Sequence, residues 1–291
     1  MKKSINFIWK TAGLLVFSLF LTLFSGCAST DIKKNAVSDL AEKITGKWIL
    51  TEADGKPVPT NAKIVHTFES ATEGYISSYN LDFTENYKKW NDRVPCYLEI
   101  SGNIITMTGQ LDKGITFEAE VDVKSITATE MISDLKYSVY NQSELLFVRE
   151  QSVVSKKLPV DYAGEILGCW EGCSTGEHSE YDDEKKHRWQ YNSDGTYIYY
   201  SRNLRGEWTD FENEYAFYAI DGNLLCMRWK NPGKNEKEHR EWWEISSIEN
   251  NEMKWTGLRM RSDGTTGRTS FSMTRTDVSE TRTSSQKKPV F

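Results

Sequence analysis

The residues of this 291-residue chain best suited to covalent or metal chemistry are five cysteines and four histidines. Four of the cysteines, Cys96, Cys169, Cys173 and Cys226, lie in the body of the sequence. In an exported compartment four thiols allow three complete disulfide pairings. Cys169 and Cys173 sit four apart in a presumed strand, pointing the same way but too far apart to bond if extended. Cys226 can pair with either, and Cys96 has no obvious partner, so the disulfide state stays open. A zinc site from Cys169, Cys173 and a histidine lacks a closed ligand set. His66 and His187 each open a presumed second strand, where a shared packing or hydrogen-bonding role accounts for both. The acidic run Glu177, Glu180, Asp182, Asp183 and Glu184 lacks EF-hand spacing and reads as a solvated loop. No Gly-x-Ser-x-Gly elbow, His-Glu-x-x-His or phosphate-binding glycine loop is present. No enzyme, cofactor or metal is expected.

The fifth cysteine stands in a different setting. Lys2 and Lys3 precede an apolar run from Leu14 to Phe24, and Ser25-Gly26-Cys27 follows at once. That is the order of a signal peptide, with an apolar run too short to span a bilayer comfortably. The small residues before Cys27 resemble the bacterial lipobox. The resemblance implies diacylglycerol on the Cys27 sulfur, cleavage after Gly26 and acylation of the new amine, and several acyl chains hold a protein firmly on a bilayer. Ala28, where an Asp would signal inner-membrane retention in enteric-type sorting, points to the outer membrane, on its periplasmic or cell-surface side. Residues 1–26 are thus read as the signal peptide and 27–44 as a polar tether with some helical character.

The net charge is −6, and Lys2, Lys3 and Lys10 all fall in the leading segment, which leaves the exported part more acidic still. Such a chain is a poor candidate for sequence-independent nucleic-acid binding. It is equally poor as a polybasic membrane binder. Aromatics are abundant: ten Trp, fourteen Tyr and twelve Phe. Together with scarce proline they favour strands over disorder.

The sequence repeats itself. Gly46-Lys47-Trp48 returns as Gly168-Cys169-Trp170, His66-Thr67-Phe68 as His187-Arg188-Trp189, Ile100-Ser101-Gly102-Asn103 as Ile220-Asp221-Gly222-Asn223, and Glu130-Met131 as Glu252-Met253. Leu145-x-Phe147-x-Arg149 returns as Phe271-x-Met273-x-Arg275; all five matches come in order, 120 to 126 residues further on. Two copies of one fold are expected over 45–151 and 165–277, with a linker at 152–164 and a disordered tail at 278–291.

Within each copy the periodicity is two. Phe117-Glu118-Ala119-Glu120-Val121-Asp122-Val123-Lys124 alternates apolar and charged residues, the mark of a strand with one dry and one wet face. Asp54-Gly55, Asp194-Gly195 and Asp221-Gly222-Asn223 supply hairpin turns. The fold class is therefore all-β: two tandem small antiparallel up-and-down barrels of about eight strands each.

Gly46-x-Trp48 and Gly168-x-Trp170 at the first strand, with Arg149 and Arg275 on the last, resemble the lipocalin-like domains of bacterial lipoproteins. The resemblance implies a first-strand Trp closing one barrel end and a last-strand Arg lying across it, a favourable cation–aromatic lid.

Copy two concentrates the remaining aromatics. Trp189, Tyr191, Tyr199, Trp243 and Trp255 are candidates to line an apolar pocket, to fill the barrel, or to form an adhesive patch. Trp242 and Trp243 are adjacent on one strand, so one ring must face outward, toward the other domain. Two functions follow. In the first, a membrane-anchored lipocalin-like lipoprotein binds a small apolar ligand in one or both barrels. In the second, an envelope interaction or structural lipoprotein has filled barrels and binds a protein or surface partner.

Overall fold

The computed structural model describes residues 39–59, 62–80, 91–174, 187–202, 205–233, 238–260 and 266–277. The signal peptide, Cys27, most of the tether, the acidic loop and the C-terminal tail lie outside the described residues.

The first lobe is a closed barrel. Its strands are β1 (Gly46–Ala53), β2 (Lys56–Pro57), β3 (Ala62–Phe68), β4 (Glu73–Asn80), β5 (Asn91–Ser101), β6 (Ile104–Asp112), β7 (Ile115–Ile126), β8 (Glu130–Asn141) and β9 (Glu144–Lys157). Each pairs antiparallel with the next, except that β2 is a two-residue flap on β1, and β1 closes the ring on β9. Eight strands enclose an interior just wide enough for side chains to fill. Leu50, Ile105, Met107, Phe117, Ala119 and Val121 are among the buried residues that do so. The alternation along β7 behaves as its sequence dictates: Phe117, Ala119, Val121 and Val123 are buried, and Glu118 and Glu120 are exposed.

The second lobe has β10 (Gly168–Ser174), β11 (His187–Tyr191), β12 (Tyr197–Arg202), β13 (Trp208–Asp210), β14 (Tyr215–Asp221), β15 (Leu224–Lys230), β16 (His239–Glu249), β17 (Glu252–Met260) and β18 (Thr266–Thr276). Here too the first strand pairs with the last, β10 with β18. The sheet is a half-barrel, however, with β13 and β14 at its two edges. The cause is local. In the first lobe β5 is one strand, bent near Arg93 (φ 46°) and Pro95, that pairs with β4 and then with β6. In the second lobe residues 211–214 cut the corresponding stretch into β13 and β14. Among the described residues β14 reaches across the gap at the Thr196–Phe217 bridge, just before β12, where the Tyr218 amide donates to Gly195 O at 2.8 Å and its hydroxyl to Asn192 O at 2.8 Å.

Two boundaries differ from the sequence reading. Strand β9 runs on to Lys157, because β1 pairs with it through Val153–Lys157. The first lobe therefore ends past residue 151, and half of the expected linker is barrel. Residues 39–44 form the helical turn expected in the tether, but it is docked rather than free, with Leu40 and Ile44 buried in the first core. Ile166 repeats the device at the entrance to the second lobe. Each plug is fixed by the adjacent tryptophan: Trp48 Nε1 donates to Ile44 O at 2.6 Å and Trp170 Nε1 to Ile166 O at 2.7 Å.

The lobes share a third cluster. Val65 and Tyr79 of the first pack with Ala219, Leu224, Cys226 and Trp242 of the second, against Ile49 and Leu158. Trp242 is the outward ring of its pair, buried between the lobes, while Trp243 points into the barrel. All four described cysteines are free thiols; Cys226 lies in this interface rather than in a disulfide.

Candidate functional site

The two first-strand tryptophans mark equivalent barrel ends. Trp48 and Trp170 have no exposed surface. Over Trp170 lies Arg275, its guanidinium carbon 4.3 Å from the ring centroid, with Nη2 donating to Glu165 O at 2.6 Å. Over Trp48 lies Lys157, with Nζ 5.4 Å from the centroid. Arg149, the sequence candidate for that position, is exposed and sits opposite Tyr137 on the β8–β9 hairpin, eight residues short of the lid. Both lids explain the Gly-x-Trp motif. Gly46 and Gly168 take φ of 125° and 112°, and a Cβ there would stand 2.6 Å from Lys157 Cε and 2.9 Å from Arg275 Nη1. Lys157→Ala is expected to lower first-lobe stability by about 1 kcal/mol. Arg149→Ala is expected to stay within about 0.5 kcal/mol of the wild type. Thermal unfolding of the two variants side by side checks the assignment.

The histidines are not equivalent once register is known. Trp48 faces His66 across β1–β3, whereas Trp170 faces Trp189 across β10–β11. His187 falls two residues away, opposite Gly172, with Nδ1 2.7 Å from the Tyr199 hydroxyl. His66 is 4% exposed, and burial lowers its pKa to about 4. The unfolded chain binds this proton near 6.5 and the native barrel does not until about pH 4. The unfolded state is therefore favoured progressively as pH falls through that window. At about 1.4 kcal/mol per unit, acidification from pH 7 to 4 is expected to cost the first lobe about 3 kcal/mol through His66 alone. Urea melts across this range check it, and His66→Leu should flatten the slope.

The five aromatic candidates of the second lobe pack on one another rather than around a common cavity. Trp189, Tyr191, Trp243 and Trp255 are 6%, 2%, 1% and 1% exposed and pack on one another. Trp255 lies edge-on to Trp189 at 5.3 Å, parallel to Trp243 at 5.5 Å and edge-on to Phe271 at 5.9 Å. Tyr199 is half-buried against Trp189 and His187. The rings fill the lobe, and the contacts are of the geometry aromatic pairs prefer. Two open depressions measure about 370 and 470 Å³. The first is walled by Asn251, Arg275, Thr276 and Asp277, the second largely by outward Ser246, Lys254, Thr256, Ser270 and Ser272, with Trp255 and Phe271. Neither is an apolar barrel interior. Among the described residues no cluster of His, Cys, Asp and Glu could hold a metal.

Sequence reasoning missed two features on the outside. One is polar and lies between the lobes. Asp221 is fully buried; its Oδ2 accepts the Tyr79 hydroxyl at 2.6 Å and its Oδ1 lies 3.6 Å from Lys47 Nζ, which also pairs with Asp161 at 2.9 Å. Burial, above all, pushes the Tyr79 phenol well above its ordinary range, with Cys226 and Asp221 adding to the shift. Lys63 bridges the same interface to Glu244 at 3.4 Å and stands over Trp242. The other feature is apolar: on β9, Leu145, Leu146, Phe147 and Val148 are 52%, 54%, 42% and 46% exposed. Residue type does not distinguish this run from a core strand; strand pairing does.

Fold and geometry define a two-lobed antiparallel β protein with a closely packed aromatic core in its second lobe and a buried joint. No protein-family model matches the chain, and a search of curated proteins finds no match. Among solved structures it is similar to a double mutant of the vaccine antigen Transferrin Binding Protein B (TbpB) from Haemophilus parasuis, at 10% identity and a TM-score of 0.20. That match covers 74% of this chain and 53% of the other, so the chain spans about half the length of that structure.

Proposed function

We propose that this protein is an envelope lipoprotein, anchored through Cys27 to the bacterial outer membrane, that uses its two lobes to hold a protein partner at their outer surface. The observation that carries the reading is the filled interior of the second lobe, where Trp189, Trp243, Trp255 and Phe271 occupy the space a ligand would need. A carrier of small apolar molecules needs a concave, largely pre-formed pocket. Without one, binding falls to the surface, and the interlobe contacts that join the two lobes through buried apolar and charged groups favour a rigid display unit. The anchor rests on the signal peptide and the small residues before Cys27.

One experiment tests both halves. Cys27→Ser protein should leave the membrane fraction, and its native mass should equal that of the polypeptide alone. Retention in membranes would overturn the anchor. Reproducible recovery of a small apolar molecule would overturn the interaction reading.

A further inference from the structure

At the joint between the lobes one hydroxyl meets two carboxylates. Tyr79 Oη lies 2.6 Å from Asp221 Oδ2 of the second lobe and 3.2 Å from Asp92 Oδ1 of β5. A bulge brings Asp92 there. The β4–β5 register shifts between Ile76 and Ser78, Arg93 takes φ of 46°, and its amide donates to Ser77 Oγ at 3.2 Å. Residues other than glycine seldom adopt that conformation, and bulges re-aim side chains. A phenol has one hydrogen to give, and an ionised carboxylate has none. The shorter contact takes that hydrogen. Asp92 therefore completes the chain only as an acid, donating its own proton to the phenol oxygen. Asp92 stands at the exposed rim of the joint, so a proton reaches it without the lobes parting.

We propose that the joint is a proton-operated latch: with Asp92 protonated an Asp92–Tyr79–Asp221 chain ties the lobes together, and with Asp92 ionised two facing carboxylates loosen them. The cations around it are shared with other groups. Lys47 is held between Asp221 and Asp161. Arg93 attracts both carboxylates but lies 4.4 Å over the Tyr75 ring and 3.2 Å from Glu69. Arg228 attracts Asp92 but lies over Phe217 and 3.6 Å from Glu238. Lys63 turns to Glu244 and Trp242. Burial, with Asp221 and Asp92 adding to it, holds the Cys226 thiol well above its ordinary range, so it brings no charge. Burial of the Asp92 carboxyl and then the Asp221 charge raise its pKa above the ordinary 3.8, against the Tyr79 bond and the two arginines. A carboxyl raised in the folded state adds stability that is complete below its unfolded value and fades as pH rises through its folded one. The latch thus tightens in acid, opposite in sense to His66, and needs no partner.

The test uses the Cys27→Ser protein and reads opening at Cys226, which has no exposed surface and lies in the joint. Dithiodipyridine attacks thiols in acid as well as in base, and mass spectrometry of the Cys226 peptide separates it from Cys96, Cys169 and Cys173. Asp92→Asn keeps the shape and the donor of the acid and cannot ionise. Dividing the labelling rate of the parent by that of Asp92→Asn at the same pH cancels the titration of the thiol and of His66. The ratio should stand near one at about pH 4 and rise about threefold or more by about pH 8. With Tyr79→Phe in both proteins the rise should vanish. Carbon-13 NMR of the parent should show the Asp92 carboxyl titrating above a free aspartate, and Asp221→Asn should lower it. A ratio that does not change with pH, or a rise that survives Tyr79→Phe, would overturn the latch. So would an Asp92 titration at the free value, or one that Asp221→Asn leaves in place, and these decide the matter if Tyr79→Phe does not fold.

Discussion

Truncating Trp255 to alanine is expected to cost the second lobe about 3–5 kcal/mol, the range for removing a large buried ring. Trp255 sits at the hub of the aromatic cluster, touching Trp189, Tyr191, Trp243 and Phe271. None of these rings can follow it inward without leaving a partner, so most of the lost volume should persist as a dry cavity. Such a cavity, lined by rings, should then admit indole, and added indole should restore part of the lost stability. Chemical denaturation followed by tryptophan fluorescence, with and without indole, measures both effects. The result separates a filled lobe from a ligand carrier. If the rings lined a vacant pocket, truncation would cost little and the wild type would already bind indole. Trp255→Phe offers a finer reading. Trp255 Nε1 is buried without a hydrogen-bond partner, whereas Trp243 Nε1 lies 3.2 Å from Glu241. Removing an unmet donor relieves a desolvation cost, so Trp255→Phe should be milder than Trp243→Phe.

Much of the architecture is legible in the sequence because period-two patterning, turn pairs and the repeated Gly-x-Trp each have one economical physical meaning. Phe117 to Lys124 alternates without exception, and a strand buried on one face is the simplest structure that satisfies it. Glu130-Met131 and Glu252-Met253 are true equivalents, since Met131 faces Ser155 and Met253 faces Met273 on the matching final strands. Two of the errors are errors of register, and both are of even length. The lid cation is Lys157 rather than Arg149, a slip of eight, and the second-lobe equivalent of His66 is Trp189 rather than His187, a slip of two. An even slip leaves every side chain on its original face, so hydrophobic pattern cannot detect it. Pairing with the Trp48 strand can, and pairing is a tertiary fact.

The candidate site was less legible for a related reason. Leu145 to Val148 has the composition of a core strand, and β1 ends before it reaches this stretch. In the same way, Trp189, Trp243 and Trp255 announce an aromatic interior, but ring count alone does not say whether the rings meet. That depends on how far the half-barrel curls, which is set by the break at 211–214.

Lys47→Met is expected to be as damaging as the loss of a core ring, about 3–5 kcal/mol, although it removes one partly buried side chain. The cost arises on the opposite lobe. Asp221 has no exposed surface; its Oδ1 lies 3.6 Å from the Lys47 ammonium, and the Arg93 guanidinium attracts it from further off. Without that cation a carboxylate is held out of water with the Tyr79 hydroxyl and the more distant Arg93 to answer it. The lobes can avoid the penalty by parting, which wets Asp221 but also exposes Val65, Tyr79, Leu224 and Trp242. Calorimetry should therefore show the shared unfolding transition of the wild type separating into two, with the second lobe's own core little altered. Asp221→Asn placed on the Lys47→Met background should recover most of the loss, because an amide keeps an acceptor for Tyr79 and carries no charge to desolvate. If the single variant melts as the wild type does, the Lys47–Asp221 pair does not join the lobes, and the buried apolar cluster alone must hold them.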